Sequence, residues 1–109
     1  MPSTTLSVHF YVTNAGTEPV RDWLKSLEVS DRKRIGDDIK TVQYGWPLGM
    51  PLVRKMDQRL WEVRTSLQGR TARVLFTIEG GDMVLLHGFI KKSQQTPLAD
   101  IRIAKQRMK

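Results

Sequence analysis

Between Leu6 and Val12 apolar and polar residues alternate, with Leu6, Val8, Phe10 and Val12 on one side and Ser7, His9 and Tyr11 on the other. A period of two predicts a half-buried strand. Past Thr17 the period lengthens, and Val20, Trp23, Leu24 and Leu27 recur at helical spacing. Thr17 offers a cap and Pro19 falls in the first turn, where a missing N–H is harmless. Ser30 can cap a second helix with Ile35, Ile39 and Val42 on its apolar stripe, and the junction near Glu28 and Val29 makes a helical hairpin. The stretch Gly45 to Pro51, GWPLGMP, holds too much Gly and Pro to continue a helix and reads as a loop.

Three strand-like runs come next, Leu60 to Leu67, Arg70 to Glu79 and Met83 to Lys92, separated by Gln68-Gly69 and Gly80-Gly81. Glycine takes the positive φ that tight hairpins need, so the runs predict an antiparallel meander. Thr96 then caps a last helix opened by Pro97, with Ile101 and Ala104 on its inner side and Arg102, Lys105, Arg107 and Lys109 making it basic. The expected order is β-α-α-β-β-β-α over one domain of 109 residues. Strands grouped rather than alternating with helices predict an α+β class, with an antiparallel sheet covered by helices on one face and partly open on the other.

Alternation also assigns residues to the two faces. Trp61, Val63, Thr65 and Leu67 point toward the helices, as do Ala72, Val74, Phe76 and Ile78, and Val84, Leu86 and Ile90. The open face then receives Glu62, Arg64, Thr71, Arg73, Leu75, Thr77, Met83, Leu85, His87, Phe89 and Lys91. Guanidinium groups hold phosphate by paired hydrogen bonds, and an aromatic ring stacks an unpaired base, so this face suits RNA. The plainer alternative pairs Arg64 with Glu62 as a surface ion pair, with His87 and Phe89 simply covering the sheet.

Charge sharpens the choice. The formal net charge is +7, and all of the excess lies in residues 50–109, which hold twelve Lys or Arg against five Asp or Glu, while residues 1–49 hold six of each. A basic half fits a polyanion, because each neutralised phosphate releases counterions. There is no cysteine, which excludes disulfides and thiolate-bound metals and fits a reducing cytoplasm. The apolar N-terminal run is too short and too alternating for a signal peptide or a membrane span. His9 and His87 with scattered carboxylates form no zinc motif, and Asp37-Asp38 on a helix reads as a solvated patch rather than a two-metal site. No P-loop, dinucleotide fingerprint or nucleophile elbow occurs, so neither metal nor cofactor is expected.

LWEVR (Leu60 to Arg64), ARVLF (Ala72 to Phe76) and VLLHGFIKKSQQTP (Val84 to Pro97), followed by a helix with Ala104, resemble the phage-derived branch of the HigB/RelE-like toxins. The resemblance implies a metal-free ribonuclease that enters the ribosomal A site and cleaves messenger RNA by attack of a ribose 2′-hydroxyl on the adjacent phosphate. It implies Arg64 and Arg73 on the scissile phosphate, His87 and Lys91 moving protons, and RNA contacts from Phe89, Lys92, Arg70 and Lys55. Several RelE-like toxins carry a functional tyrosine near the C-terminus; here neither Tyr11 nor Tyr44 follows the last strand. The implied partners are messenger RNA, the ribosome and a cognate antitoxin, often a helix-turn-helix protein through which the pair reaches promoter DNA. A non-catalytic nucleic-acid or protein-binding module on the same scaffold is the alternative.

Overall fold

The amphipathic runs fold where their periods put them. The computed structural model describes residues 5–91 and 97–108. Its elements are β1 (Ser7–Phe10), α1 (Pro19–Ser26), α2 (Val29–Gly45), β2 (Val53–Asp57), β3 (Leu60–Leu67), β4 (Arg70–Glu79), β5 (Asp82–Lys91) and α3 (Leu98–Arg107). The class is α+β, with three helices on a five-stranded sheet ordered β1-β5-β4-β3-β2. Gly69 and Gly80 turn their hairpins at positive φ, as predicted.

Three expectations about the architecture are corrected. The sheet is not wholly antiparallel, because β1 enters at the edge beside β5 and runs parallel to it. A fifth strand, β2, lies at the opposite edge, paired with β3. It escapes pattern reading because Val53 and Met56 are its only apolar residues and Arg54 and Lys55 blunt its edge. Its hairpin also lacks the glycine signal: Arg59 takes the positive φ of 60° instead. The third correction concerns the faces. Helices α1 and α2 cover one face, where Val20, Ile35, Ile39 and Val42 meet Val63, Ala72, Val74 and Phe76. Helix α3 covers part of the other, where Ala104 and Ile101 meet Leu60, Leu75 and Leu86.

Strand β5 also departs from simple alternation. Leu75 pairs with His87 but Phe76 pairs with Leu85, so Leu86 is an extra residue in a β-bulge. The bulge reverses the parity of everything before it. Met83 and Leu85 therefore pack under α1 and α2, while Val84 and Leu86 pack under α3, the reverse of the expected assignment. Beyond the bulge the expected assignment holds for His87, Phe89, Ile90 and Lys91. Arg107 of α3 donates from Nη1 to the Leu86 carbonyl (2.8 Å), anchoring the helix on the bulge.

The helix starts differ by one or two residues from the expected caps. Glu18 and Glu28, rather than Thr17 and Ser30, occupy the cap positions of α1 and α2, and neither makes a side-chain capping bond. Thr17 instead bonds through its hydroxyl to that of Thr13 (2.6 Å). Pro97 precedes α3; Thr96 lies outside the described residues.

Candidate nucleic-acid interface

Cross-strand register builds the site on the α3 side of the sheet. One row runs Arg54, Glu62, Leu75, His87 across β2 to β5; the next places Arg64, Arg73 and Phe89 side by side; a third places Ser66 and Thr71 beside Lys91. Successive rows on one face are about 6.8 Å apart. The alternation in β3, β4 and the end of β5 thus brings Arg64, Arg73, His87, Phe89 and Lys91 together.

Two like charges directly opposite each other, as Arg64 and Arg73 are, destabilise a sheet. The compensation is diagonal: Glu62, fully buried, accepts a hydrogen bond from Arg73 Nη1 at 2.5 Å. Arg73 is itself only 3% exposed. The expected Arg64–Glu62 contact is looser, at 4.0 Å, and the Arg64 side chain remains 31% exposed. Lys91 completes the cluster. It is 4% exposed, and its Nζ has no hydrogen-bond partner among the described residues.

The electrostatics follow from that arrangement. Burial pushes the Lys91 amine below the usual lysine value, the Arg73 charge pushes it further, and Glu62 only partly restores it. Burial likewise lowers Arg73, against the pull of Glu62, with the Arg64 and Arg54 charges acting in the same direction as burial. Among the described residues four cations, Arg54, Arg64, Arg73 and Lys91, therefore share one carboxylate. An excess of positive charge held in a partly dry site attracts an anion, and a phosphate oxygen can supply the acceptor that Lys91 Nζ lacks.

Beside the cations stands an ordered imidazole. His87 stacks on Phe89, with ring centroids 5.6 Å apart and planes 26° apart, and its Nε2 lies 2.6 Å from Asp100 Oδ1 in the first turn of α3. An ionised carboxylate only accepts, so the Nε2 proton belongs to His87, and Nδ1 is left as the ring's second site for proton exchange. Helix α3 is further tethered by an ion pair between Lys105 and Asp57. Asp57 is correspondingly held below the usual carboxylate range, mostly by its hydrogen bond from Lys105.

Other expected RNA contacts lie elsewhere. Lys55 sits over the Trp61 ring, 5.9 Å from its centroid, on the face of α1 and α2. Arg70 is paired with Asp31 of α2 at 2.9 Å. Lys92 lies outside the described residues. Sequence reasoning missed Arg54, hidden in an unrecognised strand, and Asp100. The spacing Pro97-x-x-Asp100 at a helix start was the available signal for Asp100, since it places an acid in the first turn. Among the described residues no three His, Asp or Glu side chains converge to hold a metal ion, and no helix is long and apolar enough to cross a membrane.

No curated protein matches the sequence. A family description does: Phage derived protein Gp49-like (DUF891), over residues 22–109. That span takes in α2, every strand of the basic face and α3, leaving only β1 and the start of α1 outside, so the chain that carries this cation cluster belongs to the phage-derived Gp49-like family.

Proposed function

We propose that the protein is the toxin of a toxin–antitoxin pair, a cytoplasmic endoribonuclease that cuts messenger RNA on the ribosome. The family is one associated with RelE/HigB-type toxins. The observation that carries the reading is the cation cluster around Glu62 with His87 and Phe89 on the same face. A phosphate seated on Arg54 and Arg64, with Lys91 beneath, has its developing negative charge stabilised as the 2′-oxygen attacks and the 5′-oxygen leaves. Phe89 offers a stacking surface for a neighbouring base. His87, held by Asp100, takes up the 2′-hydroxyl proton or returns one to the departing oxygen. Arg73 is a positioning residue here: it neutralises Glu62 and leaves Arg64 free for the substrate. A helix-turn-helix antitoxin is the proposed partner, covering the basic face and connecting the pair to promoter DNA.

Expression in a bacterial host tests this reading, together with single-turnover cleavage on programmed ribosomes. The expected result is growth arrest and cleavage by the parent, both lost in a folded Arg64→Ala variant. The near-complete burial of the Arg73–Glu62 pair is what favours the second reading, a binding module without catalysis. Binding of RNA or ribosomes with no cleavage and no growth arrest would select it.

A further inference from the structure

Strand β3 outruns its edge partner: Val63 is the last β3 residue paired with β2, and the Arg64 amide donates to the Leu52 carbonyl at 2.8 Å in the loop before it. The edge left beyond this point is flanked by α2, and the two enclose an open cleft of about 420 Å³. Arg34, Asp37, Asp38, Leu52, Arg64 and Ser66 line it. Arg64 belongs both to this cleft and to the cation cluster, so a strand whose phosphate sits on Arg64 has its next nucleotide beside the cleft mouth. We propose that the cleft is a nucleobase subsite that reads guanine next to the phosphate held by Arg64. The polymer's identity rests on the ribonuclease reading; the subsite itself does not require cleavage.

The chemistry of the walls selects the base. Asp37 and Asp38 form no ion pair among the described residues, although Arg34 lies three and four positions before them on α2. Arg34 turns instead to the Ser66 carbonyl (3.3 Å). Carboxylates without an ion pair among the described residues repel a phosphate backbone, and consecutive helix residues diverge by about 100°, so an edge entering the cleft meets one carboxylate at a time and has to donate to it. Guanine's Watson–Crick edge offers two adjacent donors, N1–H and N2–H, which match a carboxylate fork, and beside them O6, an acceptor for the guanidinium of Arg34. Adenine and cytosine each bring one amino donor next to an acceptor. Uracil brings one donor between two acceptors and is disfavoured by the same carboxylates. A metal ion fits poorly, since two arginines share the cleft.

Titration of the full chain with GMP, IMP, AMP, CMP and UMP, followed by calorimetry at fixed salt, tests the assignment. GMP should bind about ten- to a hundredfold tighter than UMP, the discrimination expected of one good bidentate pair, and IMP, which lacks the N2 amino group, should fall between them. The double variant Asp37→Asn, Asp38→Asn should erase the GMP-to-UMP ratio with its melting temperature retained, while Arg64→Ala should weaken all five nucleotides together. Equal affinity for all five, no binding of any, or a ratio that survives in the double variant overturns the subsite. A GMP preference without ribosomal cleavage removes the nuclease reading and leaves the subsite standing; cleavage without the preference does the reverse.

Discussion

Replacing Arg73 by methionine strips a fully buried carboxylate of its closest cation. Glu62 has no exposure and Arg73 has 3%, with the two joined at 2.5 Å, whereas Arg64 stands 4.0 Å from the same carboxylate. Breaking a buried pair from one side costs about 3–5 kcal/mol, a large share of the roughly 5–15 kcal/mol that holds a domain of this kind together. At about 4 °C per kcal/mol the melting temperature should fall by about 12–20 °C. The double variant Arg73→Met, Glu62→Leu removes the stranded carboxylate but leaves Arg64 and Lys91 without it, so it should recover only part of that loss, and the comparison isolates the coupling in a double-mutant cycle. Glu62→Gln separates stability from binding. It should also lower stability, yet it removes the one negative charge that the described residues place among Arg54, Arg64, Arg73 and Lys91 and should therefore tighten RNA binding. Added phosphate should raise its melting temperature more than the parent's, because an anion then takes the place of the carboxylate. Tryptophan-fluorescence melts and RNA titrations of the same preparations give both quantities. An Arg73→Met protein within about 1 kcal/mol of the parent refutes the buried-pair argument, and Glu62→Gln binding RNA more weakly refutes the excess-cation argument.

Three further outcomes are expected. Lys91 has a folded-state value below its unfolded one, so the unfolded chain binds the extra proton and stability should rise as pH climbs between the two; Lys91→Met should be more stable than the parent at pH 7 and flatten that rise in urea melts, and a less stable variant would contradict the sign. Asp100→Asn should slow single-turnover cleavage and shift its pH profile while leaving substrate affinity near the parent's, because it disturbs the orientation and tautomer of His87 rather than the phosphate contacts; an unchanged profile would take Asp100 out of the mechanism. Gly88→Ala should cost about 1–3 kcal/mol in chemical denaturation, because a Cβ there would lie 2.4 Å from Cε3 of the Trp23 ring packed across β5, and full stability would mean that Trp23 moves freely aside.

What the sequence made legible divides along physical lines. Periods of two and 3.6 located β1, β3, β4, β5 and all three helices, since each buries an apolar stripe that the pattern displays. Strand β2 buries little and is protected by charge, so hydrophobic periodicity is blind to it, and Arg54 disappears with it. The face of Arg64 and Arg73 was readable because β3 and β4 alternate without interruption. The nearly complete burial of Arg73 was not, since alternation assigns a side chain to a face and does not show how deeply that face is covered there.

The bulge at Leu86 ties these points together. Without it, β5 would keep one parity from Met83 to Lys91, and the residues that now pack beneath α1 and α2 would demand the same face as His87, Phe89 and Lys91. The extra residue lets Met83 and Leu85 enter the main core while the next turn of the pleat sends His87 and Phe89 to the other side, and it leaves a carbonyl that Arg107 holds. Through that anchor α3 is set where Asp100 reaches His87. A single inserted residue thus serves packing on one face and chemistry on the other. Deleting Leu86 should therefore not exchange the faces, because Leu85 followed directly by His87 alternates without interruption. It should remove the packing under α3 and the carbonyl that Arg107 holds. The displaced helix should show as lost thermal stability together with the same change in the pH profile of cleavage as Asp100→Asn, whereas an unchanged profile would refute the anchoring role.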